Sequence, residues 1–147
     1  VSEAGRQELK VAIHSGFRSH ELQAHLYEKG RTILSPVKCA DAQPCALHPL
    51  GLPVTYSKAG ESWHNFGVAG DIVFQTEVGK WTWNQDMLWS RLGRIGLKLG
   101  LEWGGMWKRI DLPHFQLTGG LTIEDASRYF DQGGFEVVWA EIARRLV

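Results

Sequence analysis

Cysteine, long apolar runs and blocks of like charge are scarce in this chain of 147 residues, and each scarcity excludes a class of protein. With 2 cysteines the chain cannot be a small domain held together by several disulfides. No apolar stretch approaches the length of about 20 residues that a membrane-spanning helix needs, so we expect no membrane span. The 16 basic and 16 acidic side chains balance without a basic block, which argues against nucleic acid as a partner.

Proline is also scarce, and it is concentrated in one segment. Four of the 5 prolines lie between Leu34 and Gly60, together with both cysteines, Cys39 and Cys45. This composition predicts one long irregular loop, and such a loop in a compact domain is usually functional. A Cys39–Cys45 disulfide would limit its entropy and indicate an oxidising compartment; two free thiols are the alternative.

The rest of the chain alternates between strand and helix patterns, and its length predicts one domain, residues 1–147. The predicted strands are 9–17, 68–74, 101–103 and 114–117, the last two joined by a turn at Gly104 and Gly105. The predicted helices are 19–29, 84–99, 122–130 and a last one whose core-facing residues are Phe135, Val138, Trp139, Ile142 and Leu146. The sequence therefore predicts an α+β fold, with a small antiparallel sheet packed against helices.

Two histidines and an aspartate stand where a metal site could form. His64 and Asp71 lie in SWHNFGVAGD, and His114 lies in DLPHFQ. Two imidazoles and one carboxylate, with a fourth position left to water, are ligands typical of a catalytic zinc site. On its strand Asp71 would share a face with Ala69 and Val73, where a carboxylate needs a compensating cation or several donors. An arginine paired with Asp71 and a packed or capping His64 are the alternative.

The second motif adds a possible general base. Pro113 disfavours helix before it, so Asp111 and His114 belong to an extended turn that enters a strand. They do not belong to a helix with the zinc-binding HExxH motif, which is absent. Asp111 could accept a proton from the attacking water. A turn aspartate bonded to its own backbone is the alternative. Three further residues in or near the two motifs could support the ligands or line a substrate groove: Ser62, Trp63 and Trp107.

Three motifs, in this order, resemble the signatures of one family. SGFRSHELQ is similar to a Ser-Gly-Tyr/Phe-Arg-Ser segment with a downstream glutamine, SWHNFGVAGD fits Ser-x-His-x-x-Gly-x-Ala-x-Asp, and IDLPHFQL fits Asp/Glu-x-Pro-His-Phe. These signatures are those of the peptidoglycan-cleaving zinc peptidases related to D-alanyl-D-alanine carboxypeptidases. The resemblance implies the fold that these peptidases share with hedgehog proteins.

The resemblance also implies a role for each matched residue. Zinc (Zn2+) would be held by His64, Asp71 and His114. Asp111 would be the catalytic acidic residue. Arg18 would face the scissile carbonyl and either stabilise the oxyanion or clamp a substrate carboxylate, whereas a surface salt bridge is the alternative. Gln23 is a weaker candidate for a substrate contact.

The Pro-His-Phe ending resembles the L-alanyl-D-glutamate endopeptidase branch, which occurs in phage endolysins and bacterial autolysins. The expected function is therefore cleavage of the peptidoglycan stem peptide between its first two residues. A D,D- or L,D-carboxypeptidase on the same substrate and a non-catalytic, zinc-containing wall-binding module are the alternatives. We expect a periplasmic or extracellular protein, or a phage lysin delivered to the wall, and a monomer, since nothing in the sequence indicates a dimer interface.

Overall fold

The structure is a computed structural model that describes residues 1–6, 8–37 and 49–147. Its helices and strands are, in chain order, α1 Ser2–Arg6, β1 Val11–Ser15, α2 His20–Glu28, β2 Ala69–Gln75, β3 Trp81–Thr82, α3 Asp86–Lys98, β4 Glu102–Trp103, β5 His114–Gln116 and α4 Ile123–Arg145. The predicted Cys39–Cys45 disulfide lies outside the described residues. Within those residues no helix has the length and apolar character needed to cross a membrane.

The sheet is antiparallel and has β2 near its centre. The strand order is β1-β2-β5-β4, and β3 pairs with the far end of β2. The predicted α+β class is confirmed. Strand β3, which has two residues, was not predicted.

Helix α3 covers one face of the sheet. Ile72 and Phe74, which alternation along β2 points to this side, pack in the core that α3 closes. The buried residues of that core are Ala4, Leu9, Phe74, Trp89, Leu92, Ile95, Trp103 and Phe115. A Cβ at Gly96 would lie 2.4 Å from the ring of Phe115. Glycine therefore weakens α3 as an isolated helix but lets it lie directly on the aromatic side chains of the sheet.

A second core joins α4 to a short 3-10 helix, Trp63–Phe66, that precedes β2. Its buried residues are Phe66, Leu121, Ala126, Val138 and Ile142. Helix α4 begins with the predicted capping box of Thr122 and Asp125. Gly134, with φ of 75°, interrupts the helix where the sequence predicted a break between two helices.

The apolar face of the last helix is less buried than predicted. Val138 is fully buried, but Trp139 is 46% exposed and Leu146 is 51% exposed, so the core assignment was wrong for these two residues. The indole N–H of Trp139 donates to the Phe66 carbonyl at 2.8 Å. Trp139 therefore braces the Trp63–Phe66 helix from the surface.

The connection between β4 and β5 is not the tight turn expected at Gly104 and Gly105. It begins with a 3-10 helix, Gly104–Met106. The Gly104 carbonyl then accepts backbone hydrogen bonds from Trp107 at 3.2 Å and from Asp111 at 3.0 Å. The connection therefore folds back on its first residue, which determines where Asp111 lies.

Candidate metal centre

A row of polar residues crosses the sheet, with Asp71 of β2 in the middle. In the strand register Ser15 of β1 and His114 of β5 lie directly beside Asp71. Residues opposed in this way have Cβ atoms about 4.5–5.5 Å apart and lie on one face of the sheet. The sheet thus assembles side chains from three separate parts of the chain on the face opposite α3.

His64 reaches this row from the 3-10 helix Trp63–Phe66. Its Nδ1 lies 2.6 Å from the Gly16 carbonyl oxygen, and its own carbonyl accepts from the Arg18 backbone N–H at 3.0 Å. The segment after β1 therefore holds both the ring and the backbone of His64. The imidazole is 2% exposed and turns Nε2 to Asp71.

The structure brings the three predicted ligands together. Asp71 Oδ1 lies 3.2 Å from His64 Nε2 and 3.2 Å from His114 Nδ1. Among the described residues these three form a group that could hold a metal ion, with all ligand atoms within 4.8 Å of one another. Ligand atoms bound tetrahedrally to zinc at about 2.1 Å would be about 3.4 Å apart. The spacing therefore fits zinc after small adjustments.

Each imidazole is also held at its second nitrogen by an acceptor. A carbonyl can only accept, so the bond to Gly16 places the hydrogen of His64 on Nδ1 and leaves Nε2 for a metal. His114 Nε2 lies 2.9 Å from Gln116 Oε1, an arrangement that leaves Nδ1 for a metal. Metal-binding histidines usually have such a partner on the second nitrogen. The donor set and its supports thus both fit a metal site.

The electrostatics of the cluster favour an ionised Asp71. Burial acts to raise the pKa of this carboxyl, but hydrogen bonds with His114 and His64 outweigh burial. The charge of Arg18 acts in the same direction, so the pKa of Asp71 lies well below its usual range. For His114, burial acts to lower the pKa, but the bonds to Asp71 and Gln116 outweigh it and the pKa is raised. Both shifts favour positive charge next to Asp71, which is the charge that a divalent cation would also supply.

Arg18 is tied to the same carboxylate. Its Nη2 donates to Asp71 Oδ2, and its Nε donates to Ser15 Oγ at 2.8 Å. The side chain is 14% exposed, so it is not a surface salt bridge. The arginine partner considered as an alternative for Asp71 is therefore present together with the histidine contacts, because the two carboxylate oxygens serve different partners.

Gln23 is fully buried behind Arg18. Its Oε1 accepts from Arg18 Nη1 at 3.4 Å, and its Nε2 donates to the Ser57 carbonyl at 2.7 Å and to Thr55 Oγ1 at 3.3 Å. Both ends of the amide are used within the protein. Gln23 therefore links Arg18 to the segment 55–57, and its amide has no free group directed at a substrate.

Asp111 lies beside the cluster, where the connection after β4 folds back. A Cβ at Gly104 would lie 2.4 Å from the Asp111 carbonyl oxygen, so the close approach needs glycine. Part of the surface of Asp111 is exposed to solvent. Burial of its carboxyl nevertheless raises the pKa, and the negative charge of Asp71 acts in the same direction. A carboxyl with a raised pKa beside a metal site suits proton transfer.

The three remaining candidates occupy different environments. The ring of Trp107 lies 5.0 Å from the ring of His114 and is 37% exposed, so it borders the site. Trp63 packs in the core against Phe66, with ring centroids 5.8 Å apart. Ser62 is buried and precedes the Trp63–Phe66 helix without a side-chain capping bond. Of these three, Trp107 offers a surface to a ligand at the site.

Sequence reasoning missed the polar residues behind His114. Gln116 lies two positions later on β5, and Glu102 lies opposite Gln116 on β4. The spacing of His114 and Gln116 placed both on one face of any strand, which was a usable signal. The partnership with Glu102 depends on strand register, which the sequence does not show.

The fold and the site together define a protein with a candidate catalytic metal centre. Residues 55–117, which include all three candidate ligands and Asp111, match the family described as D-alanyl-D-alanine carboxypeptidase. The chain is 34% identical over 123 residues to the peptidoglycan L-alanyl-D-glutamate endopeptidase CwlK of Bacillus subtilis. That match covers 78% of this chain and 64% of the relative, so the chain spans less than two thirds of the relative's length. These matches confirm the resemblance: residues 55–117 fit the model of this family, and the chain is similar to a peptidoglycan endopeptidase.

Two solved structures of peptidases show a partial likeness in fold. One is the L-Ala D-Glu endopeptidase ChiX of Serratia marcescens, with a TM-score of 0.45, 25% identity, and coverage of 75% of this chain and 68% of that one. The other is the D,D-pentapeptidase VanY from a VanB-type resistance cassette, in complex with Zn(II), with a TM-score of 0.49, 17% identity, and coverage of 94% and 76%.

Proposed function

We propose that this chain is a zinc-dependent peptidase that cleaves the peptidoglycan stem peptide between L-alanine and D-glutamate. The observation that carries the proposal is the convergence of His64, Asp71 and His114, with the carboxyl of Asp111 in their electrostatic field. The name of the Bacillus subtilis relative supports this choice of bond. The Pro-His-Phe sequence at 113–115 supports the same branch.

The donor set favours zinc over the hard divalent cations. Two imidazole nitrogens and one carboxylate oxygen suit zinc, whereas calcium and magnesium prefer ligands that are all oxygen. When bound, zinc would supply a Lewis acid that polarises the scissile carbonyl and makes water nucleophilic at neutral pH. His64, Asp71 and His114 would hold the ion, and the bonds to Gly16 and Gln116 would keep the two rings oriented.

In the proposed reaction Asp111 moves the proton. A carboxylate oxygen of Asp111 takes a proton from the attacking water and then donates it to the leaving amine of D-glutamate. The raised pKa of Asp111 suits both steps, because the group that accepts the proton must hold it until the amine leaves.

Arg18 supplies positive charge to the same site. Within the described part of the chain three of its N–H groups have partners, and a guanidinium has five. The remaining two can donate to the carbonyl oxygen of the substrate as negative charge develops there. The bonds that Arg18 donates to Ser15 and Gln23 fix the orientation of the guanidinium, so this stabilisation requires little rearrangement.

The exposed ring of Trp107 would form one wall for the stem peptide beside His114. Because peptidoglycan lies outside the cytoplasmic membrane, we propose that the protein acts at the cell wall, in the periplasm or outside the cell, or as a phage lysin delivered there.

The proposal is tested by incubating the protein with purified sacculi and with soluble muropeptides and identifying the fragments by mass spectrometry. Stem peptides that begin at D-glutamate are the expected product. Release of free D-alanine would instead identify a carboxypeptidase, and intact substrate would identify a non-catalytic wall-binding module. The same incubation with a chelator, followed by addition of zinc, should abolish and then restore cleavage.

A further inference from the structure

We propose that Glu102 is a positioning residue that determines, through the amide of Gln116, which nitrogen of His114 is available to a metal. The inference rests on the proposed metal site, but it concerns hydrogen bonds that exist before any metal binds. It assigns a role to a carboxylate that does not reach the ligand cluster itself.

A continuous hydrogen-bonded chain runs from His114 away from the cluster. His114 Nε2 lies 2.9 Å from Gln116 Oε1, and Gln116 Nε2 donates to Glu102 Oε2 at 2.8 Å. Glu102 Oε1 accepts from the backbone N–H of Thr118 at 3.3 Å and from the Thr118 hydroxyl. Gln116 is 7% exposed and Thr118 is 3% exposed, so water has little access to compete for these bonds.

The bonds between Glu102 and Thr118 determine the direction of every other hydrogen bond in this series. Glu102 accepts two hydrogen bonds from Thr118, and a carboxylate can only accept, so the NH2 group of Gln116 must point to Glu102. The amide oxygen of Gln116 then has to point to His114, and an oxygen can only accept. The neutral imidazole of His114 must therefore carry its hydrogen on Nε2 and direct its lone pair through Nδ1.

Two carboxylates thus act on one imidazole from opposite sides. Asp71 Oδ1, 3.2 Å from Nδ1, attracts a proton to the nitrogen that should bind the metal. Glu102, acting through Gln116, attracts a proton to the other nitrogen. When a cation takes the place of the Nδ1 proton, Asp71 can become its ligand while the Nε2–H bond remains intact. Glu102 therefore favours the metal-binding tautomer that Asp71 alone would oppose.

The strand register makes this arrangement possible. Glu102 lies opposite Gln116, and Gln116 lies two positions from His114 on the same strand. Both polar residues of β5 consequently face away from α3, and β4 presents its glutamate to the second of them.

The test begins with Glu102→Gln, which keeps the size of the side chain but allows its amide to donate. Gln116 can then turn its oxygen to residue 102 and its NH2 to His114, which forces the hydrogen of His114 onto Nδ1. We expect zinc affinity, measured by competition with a chromophoric chelator, to fall about 10- to 100-fold. Glu124→Gln, an equivalent change at an exposed position, should leave it unchanged.

The decisive variant exchanges the two groups, Glu102→Gln with Gln116→Glu. A carboxylate at position 116 again accepts from His114 Nε2, and the amide at 102 donates to it while its oxygen accepts from Thr118. The exchange keeps the net charge and reverses one bond only. If the direction of these hydrogen bonds is what determines zinc affinity, the affinity should return to within about threefold of the parent. A purely structural need for Glu102 predicts no such recovery.

A second readout needs no metal. The 15N shifts of His114 in the zinc-free protein report which ring nitrogen carries hydrogen. All variants are compared at one alkaline pH at which the imidazole is neutral, because a charged ring carries hydrogen on both nitrogens. The fraction protonated on Nε2 should be higher in the parent and in the double variant than in Glu102→Gln. Equal fractions in all three, or a loss of zinc affinity that the double variant fails to restore, would overturn the proposal. If the parent binds no zinc at all, the proposed function fails while the nitrogen shifts still decide the role of Glu102.

Destabilisation has to be separated from positioning. Ile142→Val removes one buried methylene of the second core, away from the chain of bonds, and should lower thermal stability without changing the His114 shifts. If the His114 15N shifts of Ile142→Val changed as they do in Glu102→Gln, this would count against a specific role for Glu102.

Discussion

At the scale of single residues, Asp71 divides its two oxygens between two tasks. Oδ1 faces both imidazoles, and Oδ2 accepts from Arg18. A lone carboxylate in this position would be costly to bury, and the charged hydrogen bond from Arg18 compensates it. The same arrangement leaves Oδ1 directed at the place that a cation would occupy.

Asp111→Asn should separate chemistry from metal binding. The amide keeps the shape of the side chain but cannot accept the proton, so turnover on muropeptides should fall about 100- to 10,000-fold. Zinc affinity should change little, because Asp111 is not among the three converging ligands. Asp131→Asn, at an exposed position, is the matched control. Full activity in Asp111→Asn would remove Asp111 from the mechanism.

Gln23→Leu tests whether Gln23 positions Arg18 or binds substrate. Leucine fills similar space but leaves Arg18 Nη1 and the Ser57 carbonyl without their partner, so the free energy of unfolding should fall by about 1–3 kcal/mol. Urea denaturation measures this loss, and kcat should fall as Arg18 loses its orientation. Gln132→Leu is the exposed control. A higher KM with unchanged stability would instead indicate a direct substrate contact.

At the scale of elements, the decisive contact is that of α3 with the sheet that carries the site. Phe115 lies in the core under α3 while its neighbour His114 lies on the opposite face. A shift of this strand would therefore move a candidate ligand. The glycines of α3 permit the close approach, so the packing of one face determines the geometry of the other.

Gly96→Ala should destabilise the protein although alanine is the better helix former. Helix propensity favours alanine by about 1 kcal/mol, but the added Cβ would lie 2.4 Å from the Phe115 ring. Overpacking of this kind typically costs about 1–3 kcal/mol, so we expect a net loss and a weaker zinc site. Thermal unfolding measures the loss of stability. Gly5→Ala, which adds a Cβ in open space on α1, should be neutral or stabilising. Equal stability of the two variants would contradict the packing argument.

At the scale of the whole molecule, metal binding, protonation and folding are linked. The raised pKa of His114 contributes stability to the metal-free protein that is fully present below the unfolded value and is lost as pH rises through the folded value. The lowered pKa of Asp71 contributes stability that is present above its unfolded value and is lost as pH falls through the folded one. Below neutrality the metal-free cluster is therefore held by its own charges.

Zinc should stabilise the protein more strongly as pH rises. Zinc needs a deprotonated His114, and the raised pKa extends proton competition to higher pH than for an ordinary imidazole. At a zinc concentration of 100 times Kd the gain is about 2.7 kcal/mol. The increase of Tm on adding zinc should be larger at about pH 8 than at about pH 6. His25→Gln, at an exposed position, should leave this difference unchanged. An increase of Tm that does not depend on pH would contradict zinc binding by His114.

Local patterns in the sequence predicted much of this molecule. Capping at Ser19 and Thr122, the glycine after α3 and the alternation along β2 are local effects, and the structure contains all of them. Where a feature depended on distant contacts, prediction was poorer. The predictions of a buried Trp139 and of a tight turn between β4 and β5 were wrong for this reason.

By itself the sequence determined the α+β class and the three residues whose types suit a metal, because side-chain chemistry and the periods of helix and strand are local properties. Only the tertiary structure decided that Ser15, Asp71 and His114 form one row, that Arg18 shares Asp71 with the histidines, and that Glu102 supports His114 through Gln116. Strand register and the folding back of a long connection decide these pairings. Both are determined by contacts between residues that are far apart in the chain.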